Sequence, residues 1–258
     1  MPQIVANGAR LHYRLEGDPS LPPLVLVHPI GADHGLWDKL VPLLTPWACV
    51  LRYDLRGHGG SEATEGDYSL DLLSSDLLAL TKQVGMERFS AVGVSLGALV
   101  VLHAAARAPE RVRAVAVCSV APKIAPPPQG WEGRAQAVRE TGTAPLAQAM
   151  VERMFSASFR ATRDPAIDTL RSTLARMDRQ GYASACAVLR DADLGEVLST
   201  IRQPAVVISG DEDALTPPMA ARGLANLIPG ARHEELPGGH FPPLERPAEF
   251  ASILRGTV

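Results

Sequence analysis

Five short stretches of this 258-residue chain are almost wholly apolar: Leu24 to Val27, Cys49 to Tyr53, Phe89 to Val94, Val112 to Cys118 and Ala205 to Ile208. A strand with one wetted face alternates apolar and polar residues. A run without alternation suits a strand covered on both sides. Amphipathic patterns separate the runs, the clearest at Leu70 to Val84, where Leu70, Leu73, Leu77 and Leu80 share one helical face. Strands alternating with helices predict an α/β fold with a mostly parallel central sheet and helices on both faces. Ahead of the first run, Ile4-Val5 and Leu11-His12-Tyr13 flank Asn7-Gly8, a pair that tolerates the positive φ of a tight hairpin turn.

The alternation stops after Val120. Ala125-Pro126-Pro127-Pro128 interrupts regular structure, and consecutive helices without a strand are expected from about 131 to 192. Strand-like sequence resumes at Pro204. The expected division is a core of residues 1–120 and 193–258, carrying a helical lid, 121–192, over the carboxyl edge of the sheet.

The third run leads into Gly93-Val94-Ser95-Leu96-Gly97. A G-x-S-x-G pattern says little alone, but an apolar strand enters this one and helical sequence, Ala98 to Arg107, leaves it. A strand, tight turn and helix in that order push a serine hydroxyl clear of the sheet, and the flanking glycines let strand and helix approach. Ser95 is therefore the candidate nucleophile, standing at a helix N-terminus that favours developing negative charge. The bland alternative is a serine N-cap between packing glycines.

A serine hydroxyl needs a base, and the base needs an orienting carboxylate. In this arrangement they follow the serine in the order acid, then base. Asp213 comes after the last of the five runs, in Ser209-Gly210-Asp211-Glu212-Asp213, just ahead of the helix entry Leu215-Thr216-Pro217-Pro218. Asp211 and Glu212 compete with it. His240 lies in Leu236-Pro237-Gly238-Gly239-His240-Phe241, a flexible loop able to lay an imidazole over the sheet edge. The other histidines read as structural: His12 in the hairpin, His34 before a helix, His58 in its loop, His103 on a helix, His233 on an edge strand, and His28 too early in chain order to be the base. Acyl transfer also needs two N–H donors for the tetrahedral oxyanion. Leu96, after the serine, supplies one; Pro29 has no N–H, so Ile30 in His28-Pro29-Ile30-Gly31 is the candidate for the other.

Composition narrows the classes of function. A formal net charge of −3 gives no reason to expect nucleic acid or an anionic membrane as partner. No apolar run is long enough to span a bilayer, since Phe89 to Ala106 is broken by Gly93, Ser95, Gly97 and His103. The start, Met1-Pro2-Gln3-Ile4, lacks the pattern of a secretory signal, so a cytoplasmic location is expected. Three widely spaced cysteines, Cys49, Cys118 and Cys186, indicate neither a disulfide framework nor a metal site.

These residues resemble the α/β-hydrolase superfamily across nearly the whole chain, with Tyr53-Asp54-Leu55-Arg56-Gly57-His58-Gly59-Gly60-Ser61 as a further hallmark. Within it the chain is most similar to the 3-oxoadipate enol-lactonases of bacterial aromatic catabolism. The likeness lies in Gly35-Leu36-Trp37-Asp38, Leu51-Arg52-Tyr53-Asp54, Ala121-Pro122-Lys123-Ile124 and Gly130-Trp131, and through the lid in Gln180-Gly181-Tyr182-Ala183 and Leu189-Arg190-Asp191-Ala192-Asp193. The resemblance implies a small-molecule substrate, a ring ester carrying a carboxylate, and no cofactor or metal. Such a carboxylate calls for a cation: Lys123, Arg134 and Arg190 are the candidates, with Trp131 as pocket wall. Three other functions share these residues. They are a broader carboxylesterase or carbon–carbon bond hydrolase, a cofactor-free perhydrolase, and a non-catalytic ligand receptor on the same scaffold.

Overall fold

The computed structural model describes residues 2–258; Met1, where the signal-peptide reading begins, lies outside them. Strands β1 (Gln3–Ala6) and β2 (Ala9–Glu16) form the expected hairpin, with Asn7 at φ 48° and Gly8 at φ 78° in the turn. They are followed by β3 (Pro23–Val27), β4 (Cys49–Tyr53), β5 (Phe89–Val94), β6 (Val112–Cys118), β7 (Ala205–Gly210) and β8 (Arg232–Leu236). The sheet order is β1-β2-β4-β3-β5-β6-β7-β8, and every pairing from β4 through β8 is parallel.

The apolar runs are buried on both sides because successive side chains in a strand point to opposite faces. Val25 and Val27 of β3 enter one core, Leu24 and Leu26 the other; in β7, Val207 separates in the same way from Val206 and Ile208. Helices α1 (Val41–Leu44), α2 (Leu70–Gln83) and α3 (Leu96–Arg107) follow in chain order. Leu73, Leu77 and Leu80 bury the apolar stripe of α2 against the first core, and Ser69 caps its N-terminus by accepting from Leu72 N–H.

Between β6 and β7 the chain is helical, as expected: α4 (Gly130–Thr141), α5 (Ala144–Met154), α6 (Ala157–Ala161), α7 (Pro165–Ala175) and α8 (Arg179–Asp191). Helix α4 packs on α8 and α5 on α7. The block meets the sheet domain where Gly181 of α8 crosses Gly57: a Cβ at Gly181 would stand 2.2 Å from the Gly57 carbonyl oxygen, so neither backbone can carry a side chain. Helices α9 (Gly195–Leu198), α10 (Pro218–Leu227), α11 (Pro242–Glu245) and α12 (Pro247–Arg255) complete the chain, α10 on the α2 and α3 side and α12 on the other. No helix among the described residues is long and apolar enough to cross a membrane. The three cysteines are buried and unpaired.

Candidate active site

At the carboxyl end of β5 the backbone turns sharply through Ser95, at φ 53° and ψ −114°. That conformation is costly for a side-chain-bearing residue and persists only where its surroundings enforce it. Ser95 N–H donates to the Cys118 carbonyl (2.9 Å) and the Ser95 carbonyl accepts from Leu99 (3.1 Å), fixing the turn from both sides. The glycines two residues away are obligatory. A Cβ at Gly93 would lie 2.4 Å from the Gly97 oxygen, and one at Gly97 would lie 2.1 Å from the Val27 oxygen. The helix starts at Leu96, two residues earlier than its apolar pattern suggests, because the turn itself supplies the first helical residues.

Asp213 and His240 arrive from the ends of β7 and β8. His240 Nδ1 lies 2.8 Å from Asp213 Oδ2. Asp213 Oδ1 accepts from the Leu215 and Thr216 N–H groups (2.9 and 3.0 Å), and the Thr216 hydroxyl donates to Oδ2 at 2.6 Å. Burial pushes the Asp213 carboxyl up, but the His240 ring beside it and these hydrogen bonds outweigh burial and hold it at about 2. The carboxylate therefore orients the imidazole with a proton on Nδ1. Its competitors are otherwise engaged: Asp211 accepts from Gly238 N–H (2.8 Å) and Glu212 from Ala157 N–H (3.3 Å).

Ser95 and His240 line one cavity of about 150 Å³ between the sheet edge and the helical block. No hydrogen bond joins them among the described residues. Ile30 lines the same cavity, and neither its N–H nor that of Leu96 has a hydrogen-bond partner among the described residues. The turn presenting Ile30 is set by His28. His28 Nε2 accepts from Leu55 N–H (2.9 Å) and Nδ1 donates to the Pro29 carbonyl (2.8 Å), which requires the neutral ring. Burial, with His58 nearby, lowers its pKa to about 3. Leu55 in turn follows Asp54, whose carboxylate collects His12 Nδ1, His34 Nδ1, His34 N–H and Gly60 N–H. The readings of His12 and His34 as structural agree with these contacts, and His58 Nδ1 stands 3.1 Å from the Arg56 carbonyl within its own loop.

Of the four residues proposed to meet substrate, the structure brings two to the cavity. Trp131 and Arg134 line it, and Trp131 Nε1 and Arg134 Nε are buried without hydrogen-bond partners. Lys123 and Arg190 stand elsewhere. Lys123 is exposed because its neighbour Ile124 takes the inward direction in that loop. Arg190 sits on the outer side of α8, bonded to Asp191, Glu132 and Asp67, and these bonds raise its pKa. Sequence reasoning missed Thr216, Arg153 and Tyr182. The first is signalled by its place three residues after Asp213, and Arg153 by sharing the α5 segment with Met150 and Met154, both cavity-lining.

The family model for the alpha/beta hydrolase fold matches residues 22–247. The chain belongs to that family. This alpha/beta hydrolase is 32% identical to 3-oxoadipate enol-lactonase 2 of Acinetobacter baylyi, over 99% of this chain and 95% of the relative, and 31% identical to enol-lactonase 1 of the same organism, over 98% and 94%. The crystal structure of the enol-lactonase from Burkholderia xenovorans LB400 superposes with a TM-score of 0.95 at 36% identity, covering 99% of this chain and 98% of that one.

Proposed function

We propose that this alpha/beta hydrolase is a serine hydrolase that opens a small lactone or ester through an acyl-enzyme, with an enol-lactone of the 3-oxoadipate type as substrate. The observation that carries the reading is the Asp213–His240 bond at the rim of a cavity shared with Ser95 and Ile30. With Nδ1–H given to Asp213, the remaining lone pair of the ring is on Nε2, the acceptor a base requires. His240 takes the Ser95 proton as Oγ adds to the carbonyl carbon, and the N–H groups of Ile30 and Leu96 receive the oxyanion. Collapse breaks the ring C–O bond and expels an enolate, which takes the proton from His240 and becomes a ketone. Water, deprotonated by His240, then releases the acid and restores Ser95. The Ser95–His240 hydrogen bond is one this reaction must close; such bonds are commonly long in unliganded sites and tighten around the reacting group.

The cavity suits a compact, mainly apolar ring, with walls from Ile30, Ile124, Met150 and Leu189. Arg134 and Arg153 bring positive charge to the lining, which supports a carboxylate on the substrate. In this reading residues 121–192 act as the lid that closes over the bound substrate at the sheet edge.

The test compares wild type and Ser95→Ala. The variant should keep the wild-type circular dichroism and melting curve, lose nearly all turnover, and escape labelling by an organophosphorus probe. Wild-type turnover in that variant would end the proposal; an unlabelled, inactive wild type would favour the receptor reading. A higher kcat/KM for neutral aryl esters than for the carboxylate-bearing enol-lactone would leave the serine chemistry and remove the substrate.

A further inference from the structure

The helical block grips the two elements that carry the acid and the base. Four consecutive residues at the α5–α6 joint do this. The Met154 carbonyl accepts from the His240 N–H at 2.6 Å. Ser156 donates its hydroxyl to Glu245 Oε2 (2.5 Å) and its N–H to Oε1 (3.4 Å), while the Gly239 N–H donates to the same Oε1 at 3.0 Å. Ala157 N–H donates to Glu212, the residue before Asp213, and Phe155 packs edge-on against Phe241 with ring centroids 5.4 Å apart. A Cβ at Gly239 would stand 2.5 Å from the Met154 oxygen, so the base loop lies flat against this joint.

Glu245 is the conspicuous group. It is buried, and among the described residues no Lys or Arg forms an ion pair with it. Burial raises its carboxyl above the usual carboxylate range, and the Ser156 and Gly239 donors offset only part of that rise. A carboxyl without a cation is expensive to bury, so its acceptors must be satisfying donors that would otherwise be orphaned. Those donors are the backbone on either side of the joint, one residue from His240. We infer that Glu245 is a positioning residue: together with residues 154–157 it sets the placement of His240, so that the base is held by the helical block as well as by its own loop. The inference rests on the reading of His240 as the base.

The experiment measures kcat and KM with p-nitrophenyl acetate, alongside thermal melts, for Glu245→Ala, Glu245→Gln, Ser156→Ala and His240→Ala in the full chain. Glutamine keeps an acceptor for the two N–H groups and can donate to Ser156 Oγ. A displaced imidazole should lower kcat by roughly ten- to a hundredfold in Glu245→Ala, with KM within about twofold, since no substrate contact is removed. Glu245→Gln should recover most of that loss, and Ser156→Ala should fall between them. Should Glu245→Ala fail to fold, Ser156→Ala carries the test through the same split. Unchanged kcat, a change confined to KM, or a glutamine no better than alanine overturns the inference. An active His240→Ala overturns the reading beneath it instead.

Discussion

Thr216 places its hydroxyl on the Asp213 oxygen that also receives His240 Nδ1. Two donors on one oxygen make that oxygen's direction, and hence the ring's, depend on both. Replacing Thr216 by Val keeps the shape and removes one donor, and a hydrogen bond to a charged group is worth about 1.5–3 kcal/mol. Part of that loss should reach the transition state, where the ring carries charge, so kcat should fall about tenfold with KM little altered in steady-state assays. Arg134 should respond differently. It lines the cavity without touching Asp213 or His240, so Arg134→Ala should raise KM for a carboxylate-bearing lactone by roughly tenfold or more and leave a neutral aryl ester near the wild-type value. Equal effects on both substrates would remove the cation from the carboxylate.

The elements were legible where the physics is local. Uninterrupted apolar runs marked the buried strands, leucine spacing marked α2, and the glycines around Ser95 marked the turn. Gly97 shows how tightly the turn is built: its Cα faces the Val27 carbonyl, so Gly97→Ala must push α3 away from β3. Overpacking of this kind costs about 1–3 kcal/mol, and because it moves Ser95 and the Ile30 turn apart, activity should fall further than the drop in melting temperature implies. Kinetics paired with a denaturant titration will show whether the two losses separate. What the sequence could not disclose was direction. Lys123 and Arg190 had suitable chemistry at suitable places, yet which side a loop residue faces depends on Ile124 taking the inward course, and Arg190 is held outside by acids, Glu132 and Asp67, far away in the chain. The hold of Glu245 on Ser156 joins residues 89 positions apart and leaves no local pattern.

For the molecule as a whole, acid sensitivity follows from His28. Its ring is neutral and buried when folded, with a pKa of about 3 against 6.5 for the free side chain. Between those values the unfolded chain binds a proton that the folded chain does not. The stability is therefore complete above about 6.5 and is lost as pH falls toward about 3, at about 1.4 kcal/mol per unit. Asp213 acts in the same sense lower down: its depressed pKa adds stability above the ordinary carboxylate value, lost as pH falls through about 2. Melting temperatures should thus fall on acidification below about 6.5, and His28→Asn, though less stable at neutral pH, should show a flatter decline. The same slope in both would assign the sensitivity to other groups.

The grip of the α5–α6 joint on the base loop also bears on how such a chain can diversify. The other helix pair, α4 and α8, carries Trp131, Arg134 and Tyr182 at the cavity, and apart from the Gly181 crossing these cavity-lining positions can be redecorated for new substrates. A wholesale graft of another relative's cap would instead import a foreign seat for His240. Chimaeras that retain Met154 to Ala157 should outperform those that exchange the entire insertion, and natural drift in substrate preference should concentrate on the half of the cap that does not touch the machinery.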